Sequence, residues 1–124
     1  MAANLNKILI AGNLTRKPGI EYLNSGTAVC KFVVAVNDQW RDKAGELQKT
    51  VEFFKIVAWG KMGENCAEYL DKGSPVFVIG KVKTRTFEGE DGQKKFIVEI
   101  VAEEVQFLGQ KKAQTGGTSN EPAA

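Results

Sequence analysis

The sequence predicts an all-β chain with one helix, and three observations lead there. Val, Ile and Phe recur at period two, or in short apolar runs, through five segments. Only residues 61–72 carry apolar positions at the 3.6-residue period of a helix. Clusters of Gly, Pro, Asn and Asp fall between the segments, where the chain has to turn.

Taken in order, residues 5–12 are the first strand. Pro18-Gly19 and Asn24-Ser25-Gly26 mark turns before the second strand, at 27–37. Trp40 to Lys49 is polar and carries Gly45, which predicts a longer loop before the third strand at 50–59. Met62, Cys66, Tyr69 and Leu70 then stand at i, i+4, i+7 and i+8 on one helix face. Gly73 sits where a helix-ending residue is wanted and Pro75 follows. Residues 76–87 and 95–107 are the last two strands, joined by a hairpin at Gly89-Glu90-Asp91-Gly92. Three strands, a helix and two strands are the order of an OB-fold, a five-stranded Greek-key barrel. An open mixed sheet fits the same string but leaves long edges to hide. Residues 1–109 are read as this one domain. The stretch 111–119 has no apolar residue larger than Ala, so 110–124 is expected to be a short disordered tail.

The composition removes several classes of chemistry. Among the 124 residues there is no His, so neither a Ser-His-Asp nor a Cys-His nucleophile system can be built. Cys30 and Cys66 alone cannot make a structural zinc site, and they read as buried free thiols. Neither phosphate-loop pattern, G-x-x-x-x-G-K-[ST] or G-x-G-x-x-G, is present. No cofactor, metal or catalytic residue is expected, and a metal-dependent nuclease working through Glu and Asp is the least favoured reading. No apolar run reaches a membrane span of roughly 18 residues. A cytoplasmic, nucleoid-associated protein is expected. The net charge of +2 is uninformative as a sum.

Where the charges sit is informative. In the third strand Phe54, Ile56 and Ala58 share one face, while Val51, Phe53, Lys55, Val57 and Trp59 share the other. The first set suits an interior; the second mixes a cation with rings. The fourth strand repeats this, with Val76, Val78, Gly80 and Val82 inward and Lys81, Lys83, Arg85 and Phe87 outward. Trp40, Arg41 and Lys43 add a ring beside positive charge in the predicted loop. Cations meet phosphates and a flat ring stacks on any base, which is the chemistry of single-stranded nucleic-acid binding. Each feature alone also fits a solvated edge or an interface ring; three segments combining them on one face favour nucleic acid. Glu99, Glu103 and Glu104 read as solvated charges.

Five motifs in order resemble the bacterial single-stranded DNA-binding proteins. They are Asn4-Leu5-Asn6-Lys7-Ile8-Leu9-Ile10-Ala11-Gly12-Asn13-Leu14, Trp40-Arg41-Asp42-Lys43 and Phe53-Phe54-Lys55-Ile56-Val57-Ala58-Trp59-Gly60-Lys61. Ala67-Glu68-Tyr69-Leu70-Asp71-Lys72-Gly73-Ser74 and Gly80-Lys81-Val82-Lys83-Thr84-Arg85-Thr86-Phe87 complete the set. The resemblance implies a non-enzymatic OB-fold homotetramer that protects single-stranded DNA during replication, recombination and repair. It implies stacking by Trp40, Phe53, Trp59 and Phe87. It also implies phosphate contacts by Lys43, Lys55, Lys61, Lys72, Lys83 and Arg85. Some family members carry Trp where this chain has Phe53 and Phe87, and Phe where it has Trp59. Many also end in an acidic tip that recruits replication and repair proteins, and the ending Ser119-Asn120-Glu121-Pro122-Ala123-Ala124 does not match that pattern. An OB-fold protein-interaction accessory of replication restart is the alternative reading.

Overall fold

Each apolar stripe in the sequence finds a strand to carry it. The structure, a computed structural model, describes residues 3–109; the tail expected at 110–124 lies outside them. Its elements are β1 (Ile8–Leu14), β2 (Gly19–Tyr22), β3 (Ala28–Arg41), β4 (Leu47–Trp59), α1 (Gly60–Tyr69), β5 (Pro75–Glu88) and β6 (Lys94–Phe107).

Five of the strands close into a barrel. β1 pairs antiparallel with β5, β5 with β6, and β3 with β4. Two short pairings complete the ring. β4 runs parallel to β6 at Ile56–Ile100 and Val57–Val101, and β1 meets β3 at Asn13–Ala35 and Leu14–Val34. Closure leaves the ring no free edge. β2 lies outside it, paired with β3 from Gly19–Lys31 to Tyr22–Ala28. This strand corrects the reading of the first gap as turns. Four residues with one half-buried side chain, Ile20, carry too little alternation to be legible.

The interior is the even-numbered face of β3 and β4 joined to its counterparts. Cys30, Phe32 and Val34 pack with Ile56, Ala58, Val76, Val78, Ile100 and Ala102. Burying a side chain the size of Val, Ile or Phe is worth roughly 1.5–3 kcal/mol. α1 sets Cys66 into the same core and the residue that ends it, Leu70, follows, while Tyr69 lays its ring 5.8 Å from that of Phe107.

Two backbone approaches make closure possible. A Cβ on Gly12 would lie 2.3 Å from the Ala35 carbonyl oxygen, just where β1 leaves β5 for β3. A Cβ on Gly80 would lie 2.3 Å from the Val101 oxygen. There the register of β5 on β6 slips, with Ile79 facing Glu104 and Gly80 facing Ala102. Glu103 is the extra residue of this bulge, and its carboxylate meets Lys7 Nζ at 2.8 Å. That bond holds the Glu103 carboxyl below its ordinary pKa. Neither Glu103 nor Glu99 is simply solvated; Glu99 pairs with Arg85.

The helix is shorter than its period implies. Leu70 leaves helical geometry at φ −101°, ψ 150°, so α1 ends before Gly73. Leu70 itself is buried in the core. Gly73 belongs to the turn behind the helix, where its N–H donates to the Leu14 carbonyl at 2.8 Å.

Trp40–Lys49 is not a long loop. The β3–β4 ladder runs unbroken from Val29–Trp59 to Arg41–Leu47. Only residues 42–46 turn, around Asp42. Its carboxylate accepts the N–H groups of Ala44 and Glu46 at 2.9 Å each, and Gln48 Nε2 at 3.0 Å. These bonds, the Glu46 N–H foremost, hold the Asp42 carboxyl below the usual carboxylate range. The β3–β4 and β5–β6 hairpins thus extend as two arms whose outer halves are exposed.

Candidate nucleic-acid interface

Period-two geometry puts the outer face of β4 beside that of β3. Phe53 lies opposite Ala35, Lys55 opposite Val33, and Trp59 opposite Val29. Phe53 and Trp59 keep 61% and 45% of their surface exposed. Val57, between them on the same face, is buried where β4 meets β6. On β5, Lys83 faces Glu99, Arg85 faces Ile97, and Phe87 faces Lys95. Phe87 is 44% exposed. Exposed rings therefore stand on both strands with cations between them.

The face is concave. One hollow of about 580 Å³ has Phe32, Val33, Ile56, Val57 and Ile97 among its walls. Its charged rim is Arg16, Lys17, Lys31, Lys55, Arg85 and Glu99. A second, of about 440 Å³, lies between Trp59, Lys83, Thr84, Arg85, Glu99 and Val101. The two share Val57, Arg85 and Glu99, so they form one groove across the sheet. Six cations and a single carboxylate line it. Such a groove concentrates positive potential over an apolar floor.

Lys55, Trp59, Lys83 and Arg85 are thus brought together. Other candidates stand apart. Trp40, 47% exposed, is on a strand rather than in a loop, opposite Gln48. It belongs to the even-numbered set of β3, so it lies on the other face of its arm from Phe53. Lys43 is in the turn at the tip of that arm, Lys61 in the first turn of α1, and Lys72 in the turn after α1. All three are exposed, and none lines either hollow.

Sequence reasoning missed three of the groove cations. Lys31 was legible, because it interrupts the apolar run of β3 at an outward position. Arg16 and Lys17 were not, since they reach the groove through the pairing of β1 and β2, on either side of them, with β3. Phe96 was missed as well; it faces Thr86 on the second arm and is largely exposed. Neither cysteine lines the groove: both are buried thiols outside any disulfide, and burial, with Cys30 nearby, pushes the Cys66 thiol up to about 12.

A closed five-stranded barrel, with its helix between the third and fourth ring strands and a basic, ring-bearing groove on its outer face, defines an OB-fold binding protein. Residues 5–108 match the single-strand binding protein family, and the chain belongs to that family. It is 40% identical over 116 residues to single-stranded DNA-binding protein 3 of Listeria innocua, spanning 94% of this chain and 71% of that one. It is 39% identical over 121 residues to single-stranded DNA-binding protein 1 of Chlorobaculum tepidum, spanning 97% and 74%. Among solved structures it resembles the Plasmodium falciparum SSB complex with ssDNA, with a TM-score of 0.81 and 33% identity. That match covers 88% of this chain and 99% of the other. A deletion mutant of the single-stranded DNA-binding protein from Thermus aquaticus gives a TM-score of 0.77 at 29% identity, covering 88% and 53%.

Proposed function

We propose that this protein binds and protects single-stranded DNA with little sequence preference, serving replication, recombination and repair in the cytoplasm. The observation that carries the reading is the groove, in which Trp59 and six cations stand over an apolar floor, with exposed Phe53 and Phe87 on the same strands beyond it. Lys55, Lys83 and Arg85 take phosphates there, while Phe53, Trp59 and Phe87 offer stacking faces. Stacking is worth roughly 1–3 kcal/mol per base and is indifferent to base identity. Trp40, Lys43, Lys61 and Lys72 extend the track beyond the groove. Residues 1–109 make the binding domain, which works by binding and not by catalysis.

The binding unit is a homotetramer under this proposal. Its support is an apolar patch outside the groove. Leu9 and Ala11 are exposed on the outer face of β1, opposite Ile79 and Phe77 of β5. Sedimentation at a monomer mass would refute the tetramer.

Trp40 and Trp59 are the two tryptophans, so their fluorescence reports directly on the proposed track. Titration with oligo-dT is expected to quench it, and quenching should weaken as salt rises because phosphate contacts release counterions. Unchanged fluorescence together with no gel shift would overturn the reading.

A further inference from the structure

A groove built to take phosphates has one feature that works against phosphate. Glu99 is the only carboxylate among the residues lining the two hollows, and it lines both. It stands on β6 directly opposite Lys83, and its carboxylate lies 3.6 Å from an Arg85 guanidinium nitrogen. The pair is asymmetric. The Glu99 side chain keeps 21% of its surface, whereas that of Arg85 keeps 62%. The carboxylate is therefore seated in the groove, and the guanidinium lies over it towards solvent.

We infer that Glu99 is a built-in competitor for phosphate: it holds Arg85 while the groove is empty and must release it when a strand arrives. The inference rests on the proposed binding of single-stranded DNA. A phosphate reaching Arg85 replaces one anionic partner by another, so the contact adds less affinity than an unpaired arginine would. The freed carboxylate is then left beside the incoming phosphate, across the β5–β6 ladder from Lys83, and it recruits a cation from solution. Glu99 thus lowers affinity, flattens the salt dependence and helps the strand leave. It also keeps Arg85 laid across the sheet, aligned with the row, when no strand is bound. Glu99 is a positioning residue that acts through Arg85.

The test is Glu99→Gln, which keeps the shape and removes the charge, titrated with oligo-dT by tryptophan quenching across a salt series. Binding is expected to tighten roughly two- to fivefold at moderate salt, the span of one exposed ion pair. The slope of log affinity against log salt should steepen by about 0.7, one further phosphate contact on a single strand. Glu99→Asp keeps the charge on a shorter arm and should gain less than Glu99→Gln. In an Arg85→Gln background the gain from Glu99→Gln should shrink towards none, since the competition runs through Arg85. Thermal melts check that each variant is folded. Should Glu99→Gln fail to fold, Glu99→Ser removes the same charge and is expected to show the same gain; a folded Glu99→Ser without it would overturn the inference. Folded Glu99→Gln binding no more tightly than a wild type that binds well would overturn the inference and leave the functional reading standing. A wild type that does not bind oligo-dT would overturn both.

Discussion

Replacing Phe53 by Ala separates binding from folding, because the ring is far more exposed than a core residue. With 61% of Phe53 exposed, about two fifths of it is buried. Scaling roughly 1.5–3 kcal/mol for a fully buried Phe by that fraction gives a stability loss of about 0.6–1.2 kcal/mol. For a domain of this size that lowers the melting temperature by a few degrees, at about 4–8 °C per kcal/mol. The stacking loss is larger, roughly 1–3 kcal/mol per base. In affinity that is about fivefold to 150-fold. The assay is quenching of Trp40 and Trp59, both retained in the variant, by oligo-dT at two salt concentrations, with a melt run alongside. Phe53→Leu sharpens the result: it restores apolar bulk without a planar face, so it should regain the melt and not the affinity. Wild-type affinity in a folded Phe53→Ala, or full recovery by Phe53→Leu, would refute stacking at this position.

Three further outcomes are expected. Gly80→Ala would drive a Cβ against the Val101 carbonyl oxygen at the bulge, costing roughly 1–3 kcal/mol. An unchanged urea midpoint would count against the close approach there. Asp42 has a folded pKa below its unfolded value, so its contribution is fully present above the unfolded pKa. It is lost as the pH falls through the lower folded value. The Ala44 and Glu46 amide resonances should shift together in that acid range, and shifts that stay put would show that Asp42 does not hold the turn. Finally, with the Cys66 thiol pushed up to about 12 and buried, a thiol reagent near neutral pH should react only as fast as the chain opens. Rapid modification of the folded protein would contradict this packing.

Much of the barrel was legible because its strands are buried on one face only. Ile56 and Ala58 inward, Phe53 and Lys55 outward, is a pattern that period two states directly. The same alternation placed Lys83, Arg85 and Phe87 on one outer row. It failed where burial ends before pairing does. Residues 38–50 are exposed apart from a partly buried Gln48, so they read as a loop although the ladder continues to Arg41–Leu47. Alternation also runs on past the barrel, so Trp40 shares the parity of Cys30 and Phe32 while standing exposed on an arm. The helix end was misplaced because Leu70 fits the helical period, yet it is drawn extended into the core.

By itself the sequence determined which residues can be inside, which outer rows carry rings and cations, and that no imidazole chemistry is available. These follow from local chemistry and a two-residue repeat, which any strand obeys wherever it sits. Tertiary structure decided what meets what. Closing β1 on β3, past Gly12, accompanies the approach of Arg16 and Lys17 to Lys31 and Lys55. The pairing of β5 with β6 sets Glu99 against Lys83 and within reach of Arg85. Charges more than ten residues apart become neighbours only through backbone pairing, and the register of that pairing is a property of the whole barrel.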